Sequence, residues 1–297
     1  MPPGGRAYWA TVPDAIRVRF AVWRGGGAGT ALMLPGRTEF VEKYGPTAAR
    51  LLERGFSVVA IDWRGQGLSD RDGGYRAPGH VNDFKEYQYD LQAILASTAV
   101  TGLPQPHYLF GHSMGGCIGL RGLVAGLKVK GAVFSAPMWA LPISGVDLLR
   151  ARLIHAFARM TGHTRRLAPG QDAGPYVLQD RFEDNVLTGD AAAFRWFQET
   201  VRAHPELGLG GPSIGWIGAA LRETRALGAA APPSLPVLTF LGSDETVVSP
   251  DAIRRQVARM PRGELVEVDG ARHEIWMERE EVQAGVWRRI DRFLGVP

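Results

Sequence analysis

Residues 107–125 constrain the fold of this chain more than any other stretch. His107-Tyr108-Leu109-Phe110 is a short apolar run, Gly111-His112-Ser113-Met114-Gly115-Gly116 is a glycine-punctuated turn, and a helical run follows from Met114 to about Ala125. A strand that passes through one tight turn into a helix is the building unit of sheets with helical crossovers. A serine at the centre of such a turn is held in a strained backbone conformation, with its hydroxyl projecting above the sheet. Gly111 and Gly115 are required because a side chain at either position would crowd the turn. With 38 glycines in the chain, Gly-x-Ser-x-Gly alone is modest evidence; the strand before it and the helix after it supply the weight.

The surrounding pattern extends the same unit. Residues 16–22 alternate apolar and polar as a half-buried strand does, a Gly-rich turn covers 24–29, and Thr30 to Leu34 suits a central strand. These two strands suggest an antiparallel start to the sheet. Residues 42–54 read as a helix ending at Gly55, 56–61 as a strand covered on both faces, 81–100 as a helix and 131–135 as a strand. Strand, helix, strand and helix then recur at 236–241, 251–260, 264–268 and 277–294. The expected class is α/β, a mostly parallel central sheet flanked by helices. About 100 residues without a strand-like run separate 135 from 236. The expected organisation is therefore a core from 1–136 and 234–297, interrupted by a helical cap or lid at 137–233.

Composition excludes several classes. The chain has 297 residues, 45% hydrophobic and 22% charged, which is ordinary for a globular protein with a substantial core. No apolar run reaches the roughly 18–20 residues of a membrane-spanning helix. Met1 to Arg6 lacks a basic segment followed by an apolar one, so a cytoplasmic protein is expected. Cys117 is the only cysteine, which excludes an intrachain disulfide and a cysteine-based zinc site; a buried packing role is expected for it. The net charge of +4 comes mostly from scattered arginines interleaved with acids, so no nucleic-acid partner is expected.

A serine nucleophile needs a base, and the base an orienting acid. His273, in Asp269-Gly270-Ala271-Arg272-His273-Glu274, follows the 264–268 strand at the sheet edge where ligands gather in open α/β sheets. His112 adjoins the serine but points away from the reacting side and reads as packing. For the acid, Asp244 in Leu241-Gly242-Ser243-Asp244-Glu245 follows another strand end and completes the order Ser, acid, His. Glu245 and Asp269 compete for that role, although Asp269 is more simply a turn residue before Gly270.

Ser113, Asp244 and His273, with Gly-His-Ser-Met-Gly-Gly, resemble the monoacylglycerol lipase and bacterial lysophospholipase group of α/β-hydrolases over nearly the whole chain. Asp62-Trp63-Arg64-Gly65-Gln66-Gly67-Leu68-Ser69 is similar to the group's Asp-x-Arg-Gly-x-Gly-x-Ser loop, which braces the active-site edge, and Ala271-Arg272-His273-Glu274-Ile275 looks like the lysophospholipase form of the histidine loop. The resemblance implies hydrolysis of a small-molecule ester or lysolipid through an acyl-enzyme, without metal or cofactor. Where the group has His-Gly-x-x-Glu, this chain reads Pro35-Gly36-Arg37-Thr38-Glu39. The oxyanion donors implied are the backbone N–H groups of Arg37 and Met114. The Arg37 side chain reads as a solvated surface arginine; turned inward, it would hold a phosphate or carboxylate of the substrate.

Residues 145–160 are amphipathic, with Leu149, Leu153, Ile154, Phe157 and Met160 in one stripe and Arg150, Arg152 and Arg159 elsewhere. Such a stripe is expected to pack on the domain below; a basic amphipathic helix is also of the kind that touches a lipid surface. Met138, Trp139 and Trp216 are the candidate acyl-pocket residues. A carboxylesterase of small esters, an acyltransferase and a non-catalytic binding protein on the same fold are the competing functions.

Overall fold

The computed structural model describes residues 4–71 and 78–296; Met1 to Pro3, part of the N-terminal reading, lie outside them. The strands are β1 (Gly5–Thr11), β2 (Arg17–Trp23), β3 (Gly29–Leu34), β4 (Phe56–Ile61), β5 (His107–His112), β6 (Gly131–Ser135), β7 (Val237–Gly242) and β8 (Gly263–Val268). They form one sheet in the order β1-β2-β4-β3-β5-β6-β7-β8. β1 pairs antiparallel with β2 and β2 antiparallel with β4, while every pairing from β4 to β8 is parallel.

The antiparallel start expected from residues 16–34 is therefore real but differently paired. β2 and β3 are not neighbours; β4 lies between them, and β2 takes its hairpin partner from β1. The glycine-rich segment between β2 and β3 is a crossover rather than a hairpin turn. A Cβ on Gly25 would run into the Phe56 carbonyl at the head of β4, so the chain passes there with no room for a side chain.

The helices are α1 (Gly45–Glu53), α2 (Lys85–Leu95), α3 (Thr98–Thr101), α4 (Met114–Val124), α5 (Gly145–Met160), α6 (Ala191–Ala203), α7 (Ile214–Ala229), α8 (Pro250–Ala258) and α9 (Glu280–Leu294). Because strand side chains alternate, the central strands feed two cores. Leu32, Leu34, Val59 and Leu109 pack with residues of α2, α4, α7 and α8, whereas Ala31, Met33, Val58 and Phe110 pack with α1 and α9. Both faces are covered, which is why these strands read as continuous apolar runs.

Among the described residues, the segment between β6 and β7 holds helices, short 3-10 turns and one isolated bridge, Leu167 to Ser213. It is not a detached layer: Trp216, Ala219, Ala220 and Leu227 of α7 belong to the main core. α5 packs on α7 through its narrow side. Ala158 is its one buried residue, and a Cβ on Gly218 of α7 would collide with the His155 ring. That close approach corrects the expected orientation of α5. Leu149, Leu153, Phe157 and Met160 are exposed, Met160 by 86%, and do not pack on the domain below. No helix among the described residues is long and apolar enough to cross a membrane.

Candidate active site

Ser113 sits between β5 and α4 with φ 50° and ψ −119°, a backbone conformation that L residues rarely adopt and that persists only where its surroundings hold it. Backbone hydrogen bonds do so, the longest from the Cys117 N–H to the Ser113 carbonyl at 3.3 Å. The Ser113 N–H donates to the Ser135 carbonyl at 3.1 Å, and its own carbonyl accepts from Gly116 at 2.9 Å and Met138 at 2.8 Å. The glycines have a steric cause. A Cβ on Gly115 would strike the Leu34 carbonyl, and one on Gly111 would lie 3.0 Å from the Gly115 oxygen.

The loop after β3 lies beside the serine: a Cβ on Gly36 would stand 3.1 Å from that of Ser113. Its polar groups are assigned one by one. The Pro35 carbonyl accepts from Trp63 Nε1 at 2.9 Å, the Gly36 N–H donates to Glu39, and the Thr38 N–H donates to Gln66 Oε1 at 2.7 Å. Trp63 and Gln66 belong to the 62–69 loop, itself fixed by buried Asp62, which accepts from Arg19 at 2.6 Å, Val41 at 2.7 Å and Leu68 at 2.9 Å. Proline in place of the group's histidine thus leaves a firmly held loop. Within it, the Arg37 N–H has no hydrogen-bond partner among the described residues, and at the first turn of α4 neither has the Met114 N–H.

His273 packs its ring on His112, with centroids 4.7 Å apart, so the imidazole lies over the end of β5. Its Nδ1 hydrogen-bonds Glu245 Oε2 at 2.6 Å. Asp244, the expected acid, is exposed and accepts from Ser243 Oγ at 2.9 Å, whereas its buried neighbour Glu245 faces the histidine. The loop after β7 turns so that alternate neighbours point oppositely, and the longer glutamate reaches inward. Glu245 Oε1 also accepts the N–H groups of Val247 at 2.6 Å and Val248 at 3.0 Å. Burial alone would raise the Glu245 carboxyl, but His273 and these donors outweigh it and hold it below the usual glutamate range. An ionised acid on Nδ1 fixes the tautomer that leaves Nε2 as the basic nitrogen.

Beneath these loops lies a buried charge cluster. Lys43 Nζ donates to Glu274 Oε1 at 2.6 Å and to Glu39 Oε1, and the Tyr44 hydroxyl donates to Glu39 Oε2. His112 Nδ1 contacts the Ser135 carbonyl at 3.0 Å; its Nε2 stands 3.3 Å from Glu274 Oε2, without hydrogen-bond alignment. Burial would lower His112, but Glu274 and Glu39 raise it above its ordinary value. Burial would likewise raise Glu274, yet His112 and Lys43 hold it well below the glutamate range. His112 is therefore part of an electrostatic network and not only packing. Glu39, His112 and Glu274 bring ligand atoms within 4.8 Å of one another, as a metal would require, but Lys43 already supplies the cation on both carboxylates. Glu39 and Lys43 at i,i+4 were the only local signal for this cluster; nothing in the linear sequence ties Glu274 to them.

The remaining expected site residues are placed as follows. Met138 and Trp216 are buried in the main core, Trp216 Nε1 donating to Tyr87 Oη at 3.2 Å. Trp139 donates to the Gly116 carbonyl at 3.2 Å and borders a cavity of about 330 Å³ with Ile143, Leu148 and Leu221. Cys117 is fully buried, and burial pushes its thiol well above the ordinary range.

Two outcomes are expected. Lys43→Met leaves two buried carboxylates facing each other and costs about 3–5 kcal/mol in urea unfolding at neutral pH, part of which Lys43→Met with Glu274→Gln recovers. Since the folded state holds Glu274 below its unfolded value, the unfolded chain takes up the proton first; the stability that this pairing contributes is present above the ordinary glutamate range and is lost as pH falls beneath it. Both variants should be followed by urea titration across pH 3 to 7. Second, in steady-state ester hydrolysis Glu245→Gln lowers kcat roughly 10³–10⁴-fold, while Asp244→Asn stays within about threefold of wild type. The reverse ranking would return the acid to Asp244.

Residues 28–280 match the family model Hydrolase_4, described as "Serine aminopeptidase, S33". The chain is 26% identical over 267 residues to the probable lysophospholipase L2 of Haemophilus influenzae, covering 89% of this chain and 83% of that protein. It is 29% identical over 291 residues to lysophospholipase L2 of Escherichia coli, covering 91% and 82%. A monoglyceride lipase structure from Saccharomyces cerevisiae superposes with a TM-score of 0.73 at 20% identity, over 98% of this chain and 96% of that one. The strand–serine–helix turn, the parallel sheet and the family match over residues 28–280 together show that this chain belongs to the Hydrolase_4 (S33) family of α/β-hydrolases.

Proposed function

We propose that this protein is a serine hydrolase that cleaves carboxylic esters of single-chain lipids. The observation that carries the reading is the convergence at one sheet edge of strained Ser113, the Glu245–His273 pair and the N–H groups of Arg37 and Met114, unpartnered among the described residues. His273 Nε2 takes the Ser113 proton as Oγ adds to the ester carbonyl. The Arg37 and Met114 N–H groups bind the oxyanion, and His273 returns the proton to the leaving alcohol as the C–O bond breaks. Water, deprotonated by His273, then attacks the acyl-enzyme and releases the fatty acid with Ser113 restored. Glu245 stays ionised throughout and holds the imidazole.

The lipid class is supported by the lysophospholipase and monoglyceride lipase relatives. In this reading the helices between β6 and β7 form the lid, and the exposed face of α5 meets the lipid surface, with Arg150, Arg152 and Arg159 on the same helix to favour anionic headgroups. Water as acceptor distinguishes the proposal from an acyltransferase, and chain-length preference from a short-ester carboxylesterase.

Lysophospholipids, monoacylglycerols and p-nitrophenyl esters of graded length, assayed with Ser113→Ala as control, test the chemistry. Long-chain lipid turnover that disappears in Ser113→Ala, with fluorophosphonate labelling confined to wild type, is expected; preference for acetate esters would overturn the lipid assignment. For the surface, Leu153→Glu with Phe157→Glu should reduce co-sedimentation with phosphatidylglycerol vesicles by about tenfold or more. Hydrolysis of soluble p-nitrophenyl butyrate serves as the fold control. Undiminished vesicle binding would remove α5 from the interface.

A further inference from the structure

The arginines of this chain are satisfied in different ways. Arg19 meets Asp62 at 2.6 Å and Arg64 meets Asp90 at 2.7 Å. Arg37, expected on the surface, turns inward instead, and its Nη2 donates to the carbonyls of Pro78 at 3.0 Å and Gly210 at 2.8 Å. Arg152, Arg225 and Arg255 are exposed and meet neither a carboxylate nor a carbonyl among the described residues. These three share one cavity of about 330 Å³ between α5, α7 and α8.

Helical spacing builds that cavity. Leu148 and Arg152 stand one turn apart on α5, and Leu221 and Arg225 one turn apart on α7. In both pairs the leucine is half-buried and the arginine lies at the exposed lip. Buried Trp139 completes the floor, and Arg255 adds a third cation from α8. Arg259, just past the end of α8, holds the corner: its guanidinium donates to the Gly228 carbonyl and, at 2.6 Å, to that of Ala230. The acids of these helices are engaged elsewhere. Glu223 is taken by Arg121 of α4 at 3.0 Å, Asp251 by Arg254 at 3.3 Å, and Asp147 borders a different cavity. The cationic lip continues through Arg152 and Arg225 into a smaller cavity of about 200 Å³, which Arg159 and Arg222 also line. There burial, Arg222 and Arg159 hold His155 below its ordinary value, as a local excess of positive charge requires.

An apolar floor beneath guanidinium groups without counter-ions matches an alkyl chain that ends in an anion. We propose that this cavity binds a single-chain anionic amphiphile, a fatty acid or an alkyl phosphate, with its chain on Trp139, Leu148 and Leu221 and its head on Arg225 and Arg255. The volume lies within the range of small-molecule sites, roughly 300–1,000 Å³. The site takes one molecule and is distinct from the exposed stripe of α5, since Leu149, Leu153, Phe157 and Met160 do not line it. It does not depend on the chemistry proposed for Ser113, although its floor touches that turn: Trp139 Nε1 donates to the Gly116 carbonyl at 3.2 Å.

Isothermal titration of the full chain with decanoate, decyl phosphate, decanol and inorganic phosphate, at one ionic strength and below micelle-forming concentrations, tests the site. Decanoate, decyl phosphate or both should bind at least about tenfold more tightly than decanol or inorganic phosphate, and the preference between the two assigns the head group. Arg225→Gln with Arg255→Gln should weaken the anionic amphiphiles about 10- to 100-fold, as loss of charge-assisted contacts would. Leu221→Trp, which fills the floor and keeps every arginine, should weaken them at least about tenfold. Urea midpoints serve as the fold control, so the outcome is independent of ester hydrolysis; if Leu221→Trp shifts its midpoint, the arginine variant decides. Decanol binding as tightly as the anionic amphiphiles, or inorganic phosphate as tightly as decyl phosphate, would overturn the proposal. Anionic binding that survives the arginine variant would overturn it too, by placing the ligand elsewhere on the chain.

Discussion

The buried contacts of Lys43 with Glu39 and Glu274 hold the site together. Glu39 accepts the Gly36 N–H and so sets the loop beside the serine; Glu274 follows His273 directly; and His112, which faces both carboxylates, precedes Ser113. One ammonium therefore links the three loops that carry Ser113, His273 and Arg37. With a neutral imidazole the two carboxylates outnumber Lys43 by one charge, and the raised affinity of His112 for a proton reflects that excess. A cluster this deeply buried cannot be solvated, so its geometry must be exact enough for attraction to offset desolvation.

Around that centre the sheet supplies direction. β5, β6, β7 and β8 run parallel, so their C-terminal ends deliver Ser113, Glu245 and His273 to the same edge. The helices between β6 and β7 also reach that edge. The His273 and Glu274 N–H groups donate to the Val186 and Leu187 carbonyls, and Arg272 donates to those of Asn185 and Thr188. The histidine loop is consequently fastened both to the sheet below and to the helical segment above. Arg37 makes a comparable connection, between Pro78 and Gly210.

Where sequence reasoning fell short, the cause lay in contacts between distant segments. Asp244 and Glu245 are adjacent acids after the same strand, and only the path of that loop against Ala271, whose carbonyl accepts the Asp244 N–H at 3.0 Å, turns one outward and the other onto His273. β1 contains Trp9 and Tyr8 but little regular alternation; it becomes a strand because β2 offers it an edge. The stripe on α5 has a clear helical period, yet period does not say which side a neighbour occupies. The face with Ala158 and His155, set against Gly218, admits α7 more closely than the large apolar side chains would.

What the sequence determined by itself was local or periodic: the strand–Ser113–helix turn, the alternation of buried strands and helices, the long strandless segment, and His273 at a strand end. These follow from glycine placement and apolar spacing, which act over a few residues at a time. Tertiary structure alone decided the strand order, Glu245 as the partner of His273, the outward face of α5, and the contrast between Arg19 and Arg64, which meet carboxylates, and Arg37, which among the described residues meets backbone carbonyls. Each of those depends on which charges and surfaces meet across many tens of residues, and low-dielectric burial makes such meetings decisive only once the chain has folded.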